Sequence, residues 1–169
     1  LGVGPGNVPV YVEKSANLKQ SLDDIVLSKS FDNGMICASE SNMVVDADIY
    51  DDVKKGLKER GAYFVKPADM ENFESTVMNR EKESVNPKVA GQSAYAIAQW
   101  SGIEDCPEDA KFLVAEMPSL GGDYILSHEK LSPVLTMVKA TNQDDAIHLM
   151  KRGLNLGGLG HTVGLHTED

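Results

Sequence analysis

Cysteine is scarce in this chain of 169 residues, which contains only Cys37 and Cys106. Two thiols so far apart do not make the dense set that typifies a disulfide-stapled secreted domain. They form no Cys-x-x-Cys pair, and the four histidines show neither His-x-His nor His-Glu-x-x-His spacing, so the sequence predicts no metal site. We therefore expect two free thiols in a reducing, cytoplasmic compartment.

Basic residues and long apolar runs are also few. Sixteen lysines and arginines stand against 26 aspartates and glutamates, which gives a formal charge of -10. The basic residues cluster no further than pairs such as Lys54-Lys55, so we expect no nucleic-acid partner. No apolar run approaches the roughly 20 residues of a membrane-spanning helix, so we expect no membrane segment. With 41% hydrophobic residues, the length suits one domain with a substantial core.

The order of strand and helix patterns predicts an α/β fold with a largely parallel sheet. The predicted strands are short β-rich runs, at 8–12, 42–45, 111–115 and 135–140. The predicted helices have apolar residues at three- and four-residue spacing, at 17–29, 48–60, 67–78, 93–100 and 142–151. Glycines at 61 and 153 are the expected helix stops. Segment 79–87 is predicted to be a charged surface loop, and 156–165 to close an edge of the sheet or form a hairpin.

The first predicted helix leads directly to one of the two cysteines. Asn17 or Ser15 is the expected cap at its N-terminus. Its inward face is predicted from the three- and four-residue spacing of Leu18, Leu22, Ile25, Val26 and Lys29. This helix should deliver the loop that contains Cys37 at its C-terminal end.

The segment FDNGMICASE places Cys37 on a short glycine-containing loop. Asp32, Asn33 and Gly34 interrupt the helical pattern, and small residues after the cysteine leave room for a substrate. A thiolate can attack a carbonyl carbon without a metal, and its adduct can lose a hydride or pass its acyl group to another thiol. Cys37 is therefore the candidate nucleophile, although a lone cysteine can equally be a small buried apolar residue.

The second cysteine has a different sequence environment. Cys106 lies in the acidic stretch EDCPED, residues 104–109. Four neighbouring carboxylates would raise the pKa of the thiol and suppress the thiolate. We interpret Cys106 as a bystander.

Three further segments carry polar residues that a plain core would not select. His128 and Glu129 precede a predicted strand, at the kind of loop where α/β proteins build sites. His161 follows three glycines, and Glu116 ends another strand. A structural role would explain each of them singly, since Glu129 could pair with Lys130 or cap a turn and His161 could be a satisfied structural histidine.

The glycines at the start of the chain invite a phosphate-loop interpretation. A dinucleotide fingerprint follows a strand and opens a helix. Here the glycines of residues 2–6 precede the β-rich run at 8–12. A tight turn that leads into a strand is therefore favoured over a phosphate loop.

Four motifs occur in fixed order along the chain: GVGPGNVPV, FDNGMICASE, HEKLSP and GLGHT. Together they closely resemble the aldehyde dehydrogenase superfamily, and most of all the N-terminal, CoA-acylating half of the bifunctional acetaldehyde-CoA/alcohol dehydrogenases. The resemblance covers residues 1–169. It implies a three-layer α/β catalytic domain with a largely parallel sheet between helices. It also implies NAD as the cofactor, with a small aldehyde and CoA as substrates.

The resemblance implies roles for individual residues. Cys37 matches the catalytic cysteine, which attacks the aldehyde, or the acyl-CoA in the reverse direction, and its own backbone N–H would help to hold the oxyanion. Glu129 matches the glutamate that contacts the nicotinamide ribose in related enzymes. His128, Asn33 and His161 are candidates on the substrate side or in a supporting position.

One departure from the family pattern favours CoA. Hydrolytic aldehyde dehydrogenases keep a glutamate base at the start of a Glu-Leu-Gly-Gly motif, where an ungapped alignment places Val3. A valine cannot activate water, whereas a thiol attacks as its own thiolate with less help. CoA is therefore the expected acyl acceptor, and a hydrolytic or phosphorylating aldehyde dehydrogenase is the alternative.

The resemblance further implies that residues 1–169 are the cysteine-bearing catalytic domain alone. In the superfamily, the NAD-binding fold and the amide that completes the oxyanion hole lie upstream of GVGPGN. The iron-dependent alcohol dehydrogenase half is also outside this chain, so we expect the isolated chain to be inactive or nearly so. The whole enzyme is expected to form a homo-oligomer or filament, and a non-catalytic assembly module is the alternative from another functional class.

Overall fold

A computed structural model describes residues 6–157 and 159–169. The interpretations that rest on residues 1–5, the phosphate loop and the role of Val3, lie outside the described residues. Within those residues, no helix is both long enough and apolar enough to span a membrane.

Eight strands and five α-helices define the fold of residues 6–157 and 159–169. The strands are β1 (Val8–Val12), β2 (Glu40–Asp46), β3 (Ala62–Phe64), β4 (Met78–Asn79), β5 (Ser84–Val85), β6 (Phe112–Glu116), β7 (Val134–Ala140) and β8 (Gly164–His166). The helices are α1 (Leu18–Ser30), α2 (Tyr50–Glu59), α3 (Met70–Val77), α4 (Ala94–Trp100) and α5 (Gln143–Leu154). Six strands form one sheet in the order β3-β6-β7-β2-β1-β8, and each pair in it is parallel. The predicted α/β fold with a largely parallel sheet is confirmed.

The sheet lies between two layers of helices. Successive side chains of a strand point to opposite faces, and on β1 the side chains of Val10 and Val12 join the core cluster of α1 and α2. Tyr11, between them, joins the cluster of α5. On β6, Leu113 joins the cluster of α3 and α4. Because both faces are covered, the central strands β1, β2, β6 and β7 are buried along most of their length.

Local signals in the sequence fix several element ends. The side chain of Asn17 accepts a hydrogen bond from the Gln20 N–H at the start of α1, and Asn142 caps α5 in the same way. Gly61 has a φ of 96° just after α2, a conformation that suits glycine. Gly153, however, is not a helix stop, because α5 continues through it to Leu154.

The short strands were the least predictable elements. The strand β3 was not predicted, and the expected loop 79–87 contains part of the antiparallel hairpin of β4 and β5. Strands of two or three residues are too short to show an alternating pattern. Of the two alternatives for the tail, the edge strand is correct, because β8 pairs in parallel with β1.

Strand direction decides where the polar segments lie. Gly6 precedes β1, Cys37 precedes β2, and Glu129 precedes β7. Because these strands are parallel neighbours, all three residues lie at the amino-terminal end of the sheet. Ligand sites in open α/β sheets usually form at the carboxyl ends. Glu116 ends β6, so it lies at the opposite end of the sheet from Cys37.

Candidate active site

The loop that carries Cys37 begins where α1 ends. Asp32 and Asn33 have φ values of 47° and 51°, in the left-handed region that Asn and Asp tolerate better than most residues. The Asn33 side-chain amide donates a hydrogen bond of 3.0 Å to the Gly91 carbonyl, which ties the turn to a distant segment. The side chain of Cys37 is exposed, so this turn presents the thiol to solvent.

A glycine brings the loop against the HEKLSP segment. Gly34 has a φ of 69°, and a Cβ there would lie 2.4 Å from the carbonyl oxygen of Ser132. That distance is too short for any side chain, so only glycine permits this approach. The two segments that the sequence singled out most strongly are therefore in contact.

Gly6 is the meeting point of the candidate site residues. Its N–H donates to Glu129 Oε1 over 3.0 Å. A Cβ on Gly6 would lie 2.7 Å from the carbonyl oxygen of Cys37 and 2.9 Å from Nε2 of His161. Residues 6, 37, 129 and 161 come from four separate segments, and the fold brings them together.

The pKa of the Glu129 carboxyl group is raised above its usual value. Burial raises the pKa of its carboxyl group, whereas the Gly6 N–H, His161, Lys130 and Lys29 oppose that shift. The structural alternative for Glu129, a pairing with Lys130, is not a direct hydrogen bond, because the Lys130 ammonium binds two backbone carbonyls and a hydroxyl instead.

Two buried lysines are the site residues that sequence reasoning missed. Lys29 and Lys130 are only 2% and 1% exposed, and they line the same narrow cleft as Cys37 and Glu129. Burial lowers the pKa of Lys29 to about 8, against the opposing effect of Glu40 and Glu129. Burial also lowers the pKa of Lys130 well below its usual value. The signal for Lys29 was its place in the apolar series of the first helix.

His128 lies in a neighbouring cavity. His128 is 9% exposed, and it lines that cavity with Glu83, Glu129 and Leu156. Nε2 of His128 has no hydrogen-bond partner within the described part of the chain. Burial lowers the pKa of the imidazole, which favours its neutral form.

The side chains of Asn7 and Asn42 form a buried polar layer beneath the loops of the site. The Asn7 amide donates to the carbonyls of Ser127 and Gly153 over 2.7 and 2.8 Å. The Asn42 amide donates to Asn7 Oδ1 over 2.9 Å. These bonds join β1, β2, α5 and the segment before β7, so the loops rest on a connected base.

The remaining candidates lie elsewhere. Cys106 is 4% exposed, and its pKa is raised to about 11, mainly by burial and then by Asp105. The direction agrees with the prediction from sequence, although burial is the main cause. Glu116 accepts hydrogen bonds from Tyr50 and Lys54, so it belongs to a polar cluster that does not include Cys37.

No group of three His, Cys, Asp or Glu side chains among residues 6–157 and 159–169 could hold a metal ion. The chemistry that these residues offer is that of an exposed cysteine that shares a cleft with a carboxylate and has an imidazole near its backbone. Such a set suits nucleophilic attack with nearby proton transfer.

Comparisons with known proteins point to one family. A model of the aldehyde dehydrogenase family matches residues 4–169. The aldehyde-alcohol dehydrogenase of Clostridium acetobutylicum is 46% identical over 169 residues, 100% of this chain and 19% of that protein. The crystal structure of an acetylating aldehyde dehydrogenase from Geobacillus thermoglucosidasius matches with a TM-score of 0.94 and 45% identity, over 99% of this chain and 36% of that one.

A third relative was solved with a ligand. The propionaldehyde dehydrogenase of Rhodopseudomonas palustris, with bound propionyl-CoA, has a TM-score of 0.84 and 30% identity, over 97% of this chain and 35% of that one. The chain therefore spans about a fifth of the length of the curated relative and about a third of each solved structure.

Proposed function

Because the chain belongs to the aldehyde dehydrogenase family, we propose that residues 1–169 are the cysteine-bearing catalytic domain of a CoA-acylating aldehyde dehydrogenase. The reaction converts a small aldehyde, CoA and NAD to acyl-CoA and NADH, and it is reversible. The observation that carries the proposal is that the exposed Cys37 loop, Glu129 and His161 all approach Gly6 at one end of the sheet.

Cys37 is the nucleophile in this proposal. Its thiolate attacks the aldehyde carbon to form a thiohemiacetal, and the backbone N–H of Cys37 helps to hold the oxyanion. Loss of a hydride converts this adduct to a thioester on Cys37. The CoA thiolate then attacks the thioester carbon, and the Cys37 thiolate leaves.

His161 is the proposed proton acceptor for the thiol of Cys37 and then for the thiol of CoA. Its Nε2 faces Gly6 beside the Cys37 backbone, and a neutral imidazole can take a thiol proton near neutral pH. Its Nδ1 is buried and has no partner among residues 6–157 and 159–169. The role of His161 therefore rests on its position beside Cys37 and on the chemistry of imidazole.

Glu129 is the residue we assign to the cofactor. Oε1 binds the Gly6 N–H, and the second carboxylate oxygen remains to accept a hydrogen bond from a ribose hydroxyl. Glu129 would thus help to hold NAD, which would supply the hydride acceptor for the oxidation. His128 and Asn33 have supporting roles in this proposal, and Asn33 acts by fixing the Cys37 turn to Gly91.

CoA is favoured over water as the acyl acceptor for two reasons. Val3 occupies the position where hydrolytic relatives keep their glutamate base, and valine cannot activate water. Two of the similar structures are of an acetylating aldehyde dehydrogenase and of a propionaldehyde dehydrogenase with bound propionyl-CoA. A homo-oligomer or filament of the whole enzyme in the cytoplasm stays a prediction.

Acceptor dependence tests the proposal in the full-length protein that carries this sequence. We expect NAD-dependent acetaldehyde oxidation that requires CoA, is lost in Cys37→Ser and is retained in the matched control Cys106→Ser. Turnover with water alone would support a hydrolytic enzyme instead. Full activity of the Cys37→Ser variant would overturn the assignment, and we expect the isolated 169-residue chain to show little or no activity.

A further inference from the structure

Lys130 directs its buried ammonium at the protein backbone. Nζ donates to the carbonyl of Leu126 over 2.6 Å, to the carbonyl of His128 over 2.9 Å and to Ser41 Oγ over 2.9 Å. An ammonium has three N–H donors, so these three acceptors use all of them. All three N–H donors of Lys130 therefore bind acceptors within the protein.

These bonds determine the shape of the loop that carries Glu129. Leu126 and His128 precede Lys130 by four and two residues, so the chain curls around the ammonium. Ser41 lies on β2, four residues after Cys37, and its hydroxyl also donates to the His128 carbonyl over 3.2 Å. Lys130 therefore ties the Glu129 loop to the strand that carries the Cys37 loop.

The next residue shows that the loop needs such a tie. Leu131 has a φ of 40°, a left-handed conformation that costs free energy for a residue other than glycine. Its carbonyl accepts a hydrogen bond from the Gly91 N–H. Strained backbone of this kind persists only where surrounding contacts hold it.

Charge compensation does not by itself explain Lys130. Lys130 is one of four groups that lower the pKa of Glu129, after the Gly6 N–H and His161 and ahead of Lys29, and its ammonium makes no hydrogen bond to that carboxylate. Enclosing another cation is unfavourable, and an apolar side chain of the same size would often be more stable. A lysine whose protons all bind the loop and its neighbouring strand is better explained by the geometry that it imposes.

We propose that Lys130 is a positioning residue, which holds the Glu129 carboxylate at a fixed place relative to Cys37 so that it can bind the cofactor ribose. The inference rests on the proposed function, because the benefit is a correctly placed Glu129. Ser41 is its partner on the side of the nucleophile.

Steady-state kinetics of the full-length protein test this role. Lys130→Met removes the ammonium and keeps the chain length, and we expect the KM for NAD to rise about 10-fold with a smaller change in kcat. Lys55→Met, at an exposed position on α2, is the matched control and should leave both constants unchanged. If Lys130→Met does not fold, Ser41→Ala is expected to raise the KM for NAD about threefold, and Ser41→Thr, which keeps the hydroxyl, to restore it.

A double-mutant cycle separates positioning from a general structural effect. If Lys130 acts through Glu129, Lys130→Met should add little to the KM increase caused by Glu129→Gln. Effects that multiply in the double variant, or an unchanged KM in Lys130→Met and Ser41→Ala, would overturn the inference.

Hydrogen exchange keeps this test independent of the proposed activity. Lys130→Met should increase backbone exchange in residues 126–133 and leave exchange in α4 unchanged. If the wild-type protein shows no turnover that depends on NAD and CoA, the proposed function fails, while the exchange data still decide whether Lys130 holds the loop. Unchanged exchange at 126–133 would refute the holding role even in an active enzyme.

Discussion

The Gly6 N–H and Glu129 Oε1 are 3.0 Å apart, although 123 positions separate the two residues in sequence. The same glycine also approaches the Cys37 carbonyl and the His161 imidazole so closely that no side chain fits between them. The backbone at one position therefore contacts the Glu129 and His161 side chains and the backbone of Cys37.

Gly6→Ala should disrupt the site without unfolding the protein. The new Cβ would lie 2.7 Å from the Cys37 carbonyl oxygen and 2.9 Å from His161 Nε2, so both residues must move. A displacement of about 1 Å in an active site can reduce turnover about 100-fold. Aldehyde oxidation by the full-length protein measures this loss.

Gly122→Ala is the matched control for that substitution. Its nearest neighbour would be Leu156 Cδ2 at 4.0 Å, an ordinary contact, so activity and thermal stability should stay near wild type. Equal losses in the two variants would contradict the special role of Gly6.

The two cysteines should differ in reactivity. Cys37 is exposed and Cys106 is buried, and the pKa of Cys106 is raised from 9.0 to about 11. Such a shift reduces the thiolate fraction about 100-fold at neutral pH, before burial slows access further. Mass spectrometry after iodoacetamide treatment of the folded protein should show a label on Cys37 first, and on Cys106 only after denaturation. Early labelling of Cys106 would show that its region opens.

Lys29→Met is expected to stabilise the protein at neutral pH. Burial lowers the pKa of Lys29 from 10.5 to about 8, so the unfolded chain binds a proton more tightly than the folded protein does. The free-energy cost of burying the Lys29 ammonium is therefore complete below pH 8, and it disappears as the pH rises to 10.5. We expect a gain of about 1–3 kcal/mol at pH 7 in chemical denaturation, which shrinks above pH 8.

The exposed control for this prediction is Lys55→Met, since Lys55 is 77% exposed in its side chain. Lys55→Met should change the free energy of unfolding little at any pH between 7 and 10.5, the range over which the effect of Lys29→Met is followed. Destabilisation by Lys29→Met at pH 7 would show that its attraction to Glu40 and Glu129 exceeds the cost of burial.

Glu116→Gln tests whether the polar cluster at the carboxyl end of the sheet has a catalytic role. Glu116 pairs with Lys54, and both side chains are about one-third exposed. The substitution should therefore lower the free energy of unfolding by no more than about 1 kcal/mol. Steady-state turnover should stay at the wild-type level. A strong loss of turnover with normal stability would place Glu116 in the catalytic machinery.

Sequence reasoning succeeded where the signal is local. Asn17 and Asn142 mark helix starts because their side chains bond to backbone N–H groups three residues later. The prediction that Gly153 ends α5 was wrong, because the helix continues to Leu154 through packing with distant segments. The Gly153 carbonyl accepts a hydrogen bond from Asn7, a residue 146 positions away that no local pattern can reveal.

The residues of the candidate site were predicted individually, but their assembly into one site was not. Cys37 could be chosen because the turn before it is encoded by adjacent residues, and Glu129 and His161 because of the family resemblance. The roles assigned to them stay predictions. That these loops would lie side by side could not be foreseen, because it depends on the order of the strands in the sheet.

The amino-acid sequence by itself determined the helices, the longer strands, the parallel sheet and the exposed turn at Cys37. Each of these follows from hydrophobic spacing or backbone preferences within a few residues. Only the tertiary structure decided that Gly6 would bind Glu129, that Lys29 would lie in the cleft beside Cys37, and that the Lys130 ammonium would bind Leu126, His128 and Ser41 rather than Glu129. The physical reason is that burial and hydrogen-bond partners arise from segments that meet only when the chain has folded.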